Sequence, residues 1–354
     1  MADRAAAFGP GRVNLIGEHT DYNGGLALPF AISEGVTVRV QQLGAPRVQV
    51  LATDLGECDE FALHDPSPAE GWRAFVRGAV AELQRDGVEL PGARLEFSGT
   101  VPRGGGLSSS AALEVALALA LGRLAGVPEP DRLALARMCS RVETRWVGAQ
   151  TGLLDQLASL FGRERHALRI DFRSLEVTPV ALALGDHRLV TLDSGEQHAH
   201  AGSGYNQRRR ECEEACRRLG LVSLREASLP MARTLPAPLA QRAEHVISEN
   251  ARVEEAVLAL AGGDLNRLGE LLNASHASLR DHYEISTPAV EEAVARLRAA
   301  GAVGARIIGG GFGGNVLGLL PGDAATLEGA IEVRPSPGAH LLCPDRARGR
   351  DLPG

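Results

Sequence analysis

Short apolar runs that read as strands alternate along this chain with longer stretches of helical spacing. Residues 35–51 alternate and are rich in valine, which predicts a strand or a hairpin around Gly44-Ala45-Pro46. From Trp72 the apolar positions recur through Phe75, Ala79 and Leu83, the spacing of one helix face. Leu95 and Phe97 form a short strand that leads into Pro102-Arg103-Gly104-Gly105-Gly106-Leu107-Ser108-Ser109-Ser110. An alanine- and leucine-rich helix follows, to about Leu121. Asp131 is placed to cap a second helix whose stripe is Leu135, Cys139, Val142 and Trp146, with Glu143 beside it. After Gly152, the residues Leu153, Leu157 and Leu160 form a third stripe, and Asp155 lies off it near the helix start.

Residues 167–190 are extended, with strands at Arg169-Ile-Asp-Phe and His187-Arg-Leu-Val. Residues 193–204 are small and polar, so a domain boundary is expected between about 175 and 205, giving domains 1–180 and 181–354. Helices are expected after Tyr205, with Cys212, Cys216 and Leu219 inward, and at about 240–261, 265–280 and 288–300. Two strand-like runs within 305–320 flank a glycine-dense turn, residues 339–343 read as a closing strand, and the last ten residues read as frayed.

A chain of 354 residues exceeds what one core usually supports, which favours two domains. Aromatic residues are only 4%, so the core must be mainly aliphatic. The net charge of −7 argues against a nucleic-acid or membrane-surface binder. No apolar run approaches a bilayer span and residues 1–10 lack a signal-peptide pattern, so a cytoplasmic protein is expected. Five cysteines without a Cys-x-x-Cys pair fit reduced thiols. All 37 basic residues are arginine. The absence of lysine excludes a Walker A loop, a protein-kinase strand lysine and Schiff-base chemistry.

Two stretches carry candidate chemistry. In Gly104–Ser110, glycines let backbone N–H groups approach an anion and serines open a helix, whose start suits phosphate. An ordinary connection has the same pattern. Residues 11–25, Gly-Arg-Val-Asn-Leu-Ile-Gly-Glu-His-Thr-Asp-Tyr-Asn-Gly-Gly, place Glu18, His19 and Asp21 in a glycine-flanked loop. Singly each suits a hydrated turn, whereas together with Arg12 they favour a site, because carboxylates accept paired hydrogen bonds from sugar hydroxyls. By position alone Glu143 is a solvated flank, Asp155 a helix-start charge, Trp72 a core or rim residue, and His198 and His200 loop residues rather than metal ligands.

These stretches together resemble the GHMP small-molecule kinases, and among them the galactokinases. The resemblance rests on residues 11–29, on Pro102–Ala112 and on the Gly309–Gly314 run. Gly152-Leu-Leu-Asp155-Gln, Tyr205 with its arginine run, and Ser275-His-Ala-Ser-Leu-Arg-Asp-His-Tyr283 extend it over nearly the whole chain. It implies an α/β architecture with an N-terminal ribosomal-protein-S5-like domain and a C-terminal ferredoxin-like domain, and transfer of phosphate from ATP to the C1 hydroxyl of D-galactose. Asp155 then becomes the base or electrostatic anchor, and Arg12 its partner and the stabiliser of phosphoryl charge. Glu18, His19, Asp21, Gly152 and Tyr205 fall at sugar-contacting positions. Gly104, Gly105, Gly106, Leu107, Ser108, Ser109 and Ser110 fall in the ATP phosphate loop, and Trp72 at the adenine site. Ser110 and Glu143 fall at Mg²⁺ ligands. Partners are thus ATP and galactose, with no nucleic acid or membrane, and a monomer is expected. Thr151, Asn315 and His282 depart from common family residues. Rival readings are a kinase for arabinose, N-acetylgalactosamine or galacturonate, and a catalytically dead sugar sensor.

Overall fold

Strand β1 (Arg4–Asn14) is buried along nearly its whole length, the pattern of a strand covered on both faces. The computed structural model describes residues 3–102, 106–128, 130–196 and 201–343, apart from the side chains of residues 201–203. After β1 come β2 (Leu26–Ala27), β3 (Pro29–Gln42), β4 (Arg47–Ala52), β5 (Glu57–Ala62), α1 (Trp72–Arg85) and β6 (Ala93–Gly99). Then follow α2 (Ser109–Leu124), α3 (Arg132–Val142), α4 (Leu154–Phe161), β7 (His166–Asp171) and β8 (Glu176–Ala181). The second half comprises β9 (His187–Asp193), α5 (Ala201–Leu219), α6 (Leu229–Ala232), α7 (Leu239–Gly262), α8 (Leu265–Asp281) and α9 (Pro288–Ala299). It closes with β10 (Gly304–Ile307), β11 (Asn315–Pro321), β12 (Ala330–Val333) and β13 (His340–Leu341).

Among the described residues the first sheet runs β13-β1-β3-β6-β4-β5. The hairpin alternative for residues 35–51 therefore fails, because β6 lies between β3 and β4 and pairs with both. The reason is local. Leu43 N–H donates to Gly92 O at 2.7 Å, so the turn at 43–46 closes around the start of β6 instead of on itself. Strand β4 then runs parallel to β6, and β5 and α1 make the crossover such a pair needs. The closing strand at β13 returns to pair with Ala7 and Phe8 of β1.

Helix α2 crosses β1 and β3 and is buried almost all round, as its alanine and leucine content requires. Its approach to β1 is too close for a side chain at Gly9, where a Cβ would lie 2.1 Å from Ala112 O. That contact brings the start of α2 beside the end of β1. Asp131 caps α3 as expected, accepting from Leu133 N–H at 2.9 Å. A second sheet, β10-β11-β9-β12, is antiparallel and packs against α8 and α9. A shared core joins the halves, with Val13, Leu15 and Phe30 in one cluster with Val253, Leu268 and Leu317. Among the described residues, no helix is long and apolar enough to cross a membrane.

Candidate active site

The pairing of β1 with β3 slips between Pro10 and Arg12, and this irregularity re-aims the strand end. Arg12 thereby grips Asp155 at the start of α4 with two parallel bonds. Its Nε donates to Oδ1 at 2.9 Å and its Nη2 to Oδ2 at 3.0 Å. Such a fork fixes the orientation of the carboxylate plane. The same guanidinium donates to Gly106 O, and Arg12 N–H donates to Leu107 O at 3.1 Å, tying β1 to the glycine–serine loop. Ser108 stands at the N-cap of α2 at φ 58, but its hydroxyl makes no capping bond and donates to Asp155 instead. The expectation that the serines cap the helix is thus corrected at Ser108. The loop's first serine helps seat the carboxylate, and Ser109 and Ser110 begin the helix proper.

Glu18, His19 and Asp21 do not form a hydrated turn. Glu18 is 3% exposed and His19 4%, and both line, with Arg12, Asp21, Asp155 and Tyr205, a cavity of about 490 Å³. Gly309 N–H donates to Glu18 Oε1 at 2.8 Å, and the Asn14 amide donates to the other oxygen. Burial raises the Glu18 pKa, and the Arg306 and Arg12 charges oppose that rise. His19 Nδ1 lies 2.8 Å from the Tyr22 hydroxyl, and burial, with His245 and Arg208 adding to it, lowers its pKa to about 3, so the ring is neutral. Burial raises Asp21 to about 6, with Asp155 and Glu18 adding repulsion. The Tyr205 ring lies 5.1 Å from that of His19, tilted against it, and meets the Tyr22 ring edge-on at 5.5 Å, ring centre to ring centre.

Glu143 is the residue whose position changes most from its helical reading. Helix α3 ends at Val142, and Glu143–Val147 form a wider π turn, a distortion frequent at functional sites. The turn buries Glu143 to 4% exposure, with Ser110 Oγ at 3.4 Å and the Thr151 hydroxyl donating to its other oxygen. Burial pushes its pKa up to about 7, and the Thr151 bond opposes this. Thr151, which departs from the common family residue, seats Glu143 through its hydroxyl. Gln156 enters the sequence pattern only as the end of the Gly152–Gln156 stretch, and Asn206 carries no signal of its own. The first hydrogen-bonds Glu143 and the second lines the cavity.

Trp72 lies apart from this cavity at the first turn of α1. Its Nε1 donates to Glu57 at 2.9 Å, its ring meets Phe97 edge-on, and Arg73 covers its ring at 4.6 Å. Gly104, Gly105, His198 and His200 fall outside the described residues, as do the last ten residues of the chain.

Gly152 sits where no side chain fits. A Cβ there would meet Asp21 Oδ2 at 1.9 Å and Cγ at 2.4 Å. The Asp21 side chain can rotate away while the backbone stays, so Gly152→Ala is expected to fold normally with the Asp21 carboxylate displaced. Urea unfolding of the variant and the Asp21 rotamer in its crystal structure check this. An unmoved carboxylate would show that Asp21 is not held against Gly152.

A cavity where the start of a buried helix meets a carboxylate held by arginine, set against two α/β halves, is the arrangement of the GHMP small-molecule kinases. Sequence comparison agrees, since residues 74–163 match the GHMP kinases N terminal domain and residues 254–332 the GHMP kinases C terminal domain. Residues 2–42 match the galactokinase galactose-binding signature. A galactokinase of Actinobacillus succinogenes is 41% identical over 329 residues, covering 89% of this chain and 85% of that protein. One from Mycobacterium tuberculosis is 43% identical over 326 residues, covering 89% of each. The structure of Lactococcus lactis galactokinase complexed with galactose superposes with a TM-score of 0.90 at 32% identity, covering 96% of this chain and 95% of that one. This chain belongs to the galactokinase family.

Proposed function

We propose that the chain transfers the γ-phosphoryl group of ATP to the C1 hydroxyl of D-galactose, giving galactose 1-phosphate and ADP. The observation that carries this reading is the Asp155 carboxylate, fixed by Arg12 and Ser108 in one cavity with Glu18, His19, Asp21 and Tyr205. The sugar C1 oxygen forms a bond to the γ-phosphorus as the bond to the bridging oxygen of ADP breaks. Asp155 takes or orients the hydroxyl proton. Arg12 faces both the carboxylate and the loop and stabilises charge on the group in transit. Glu18, Asp21, His19 and Tyr205, with the backbone at Gly152, would hold the remaining sugar hydroxyls.

ATP is assigned to the loop of Gly104, Gly105, Gly106, Leu107, Ser108, Ser109 and Ser110, where the start of α2 favours phosphate. Trp72 is assigned to the adenine. The donor set also fits Mg²⁺. Glu143 is a buried carboxylate beside the Ser110 hydroxyl, and a divalent cation would hold it ionised against the burial that raises its pKa. When bound there, Mg²⁺ would neutralise phosphate charge. Within the fold, we assign the parallel β4–β6 pair and its α1 crossover to a ribosomal-protein-S5-like domain. The antiparallel β10-β11-β9-β12 sheet with α8 and α9 is assigned to a ferredoxin-like one, the division falling between β8 and β9.

The test is ADP release with Mg²⁺-ATP across a panel of D-galactose, L-arabinose, N-acetylgalactosamine and D-galacturonate. The expected result is turnover with galactose, and the lowest turnover of the panel with D-galacturonate, because carboxylates repel a uronate. Arabinose preference would displace galactose as substrate, and no turnover with any sugar would favour a sensor.

A further inference from the structure

Behind the sugar cavity lies a second group of charged side chains that the reaction does not use. Arg306, on β10, is fully buried, as is Glu249 on α7. Arg306 Nη1 donates to the carbonyls of Asn14 at 3.2 Å and Leu15 at 3.1 Å, and lies 3.5 Å from Glu18 Oε1. Its Nη2 faces Glu249 Oε1 at 3.9 Å. Glu249 in turn accepts from Gly17 N–H at 2.9 Å, from Ser275 Oγ at 2.7 Å and from Arg252 Nε at 2.7 Å.

A buried guanidinium without hydrogen-bond partners for Nε and Nη2 is costly, so the contacts it does make carry its purpose. Here the fixed object is the segment 14–18. Arg306 holds its two carbonyls and Glu249 holds the Gly17 N–H, and Glu18 follows directly. The C-terminal half thus sets both the backbone and the charge of a carboxylate that the N-terminal strand delivers to the cavity.

We propose that Arg306 is a positioning residue for sugar recognition, acting through Glu18 with Glu249 as its anchor. It does not touch substrate or the transferring phosphate. The inference rests on the reading that Glu18 contacts the sugar. The groups facing Glu18 are Arg306 from β10, Arg12 and Asn14 from β1, and Gly309 N–H from the loop after β10, and among them Arg306 and Arg12 carry charge. Asp21 and Asp155 line the same cavity and add negative field.

The experiment measures KM for galactose, KM for ATP and kcat for Arg306→Lys, Glu249→Gln, Glu18→Gln and the double variant Glu18→Gln/Arg306→Lys. Lysine keeps the charge but cannot hold two carbonyls and a carboxylate from one planar group. Arg306→Lys is expected to raise galactose KM at least tenfold, with kcat and ATP KM within twofold of wild type. Glu249→Gln should raise galactose KM in the same direction, and it keeps the test alive should Arg306→Lys not fold. In the Glu18→Gln background the Arg306→Lys effect should shrink to less than twofold. A tenfold effect persisting in that background, or equal losses in kcat and both KM values, would overturn the proposal. If Glu18→Gln alone leaves galactose KM unchanged, the sugar-contact reading of Glu18 fails instead, whatever Arg306 does.

Discussion

Asp155→Asn yields a folded protein that binds ATP normally and turns galactose over about a thousandfold more slowly. The expected size follows from losing a positioned proton acceptor, worth about 10²–10⁴ in rate, together with the fork that aims it. Asparagine presents one oxygen and one NH₂ to a guanidinium that offers only donors, so one of the two Arg12 bonds must break. Arg12 then loses its orientation toward the loop at Gly106 as well. For this reason Arg12→Ala is expected to cost a similar factor, and the double variant little more than either single one, as for groups that act as a unit. Single-turnover ADP formation, with nucleotide binding measured separately, checks this. Turnover within tenfold of wild type in Asp155→Asn would remove Asp155 from the reaction.

That pair also shows what the sequence could and could not carry. Arg12 and Asp155 stand 143 residues apart, and neither periodicity nor composition joins them. Only likeness to a family placed them together, and the geometry then gave a physical cause, the slipped register at Gly11. The helices were legible because α1, α3, α4, α7, α8 and α9 each carry a long apolar stripe, and caps such as Asp131 mark their starts. Strand order was not, because two valine-rich strands joined by Gly44-Ala45-Pro46 look the same whether they pair or admit β6 between them. Glu143 was misread by position because a helical register assumes 3.6 residues per turn, and the π turn at its position breaks that register. Arg306 gave no signal at all. It sits in a strand beside glycines, and the residues that explain it, Asn14, Glu18 and Glu249, come from other elements.

Asp21→Asn makes the resting protein more stable at pH 7.5 while costing it galactose. Burial, with Asp155 and Glu18 nearby, lifts the Asp21 pKa from 3.8 to about 6. A carboxyl raised in the folded state stabilises the fold fully below its unfolded value near 3.8, and that stabilisation is lost as pH rises through about 6. At neutral pH the ionised group therefore costs about 1–3 kcal/mol, the lower figure allowing for its partial exposure to the cavity. Asparagine has the same shape and no charge, so the strain is relieved. Urea unfolding should show the variant more stable than wild type by that amount at pH 7.5, and the difference should vanish by pH 4. Galactose affinity should fall about 10- to 100-fold, since hydrogen bonds to a charged acceptor contribute about 1.5–3 kcal/mol. Equal stability at pH 7.5, or unchanged galactose affinity, would contradict the argument. The two effects have one origin. The negative field of Asp155 and Glu18 that raises Asp21 also strengthens any hydroxyl bond Asp21 accepts, which is what the proposed sugar contact requires.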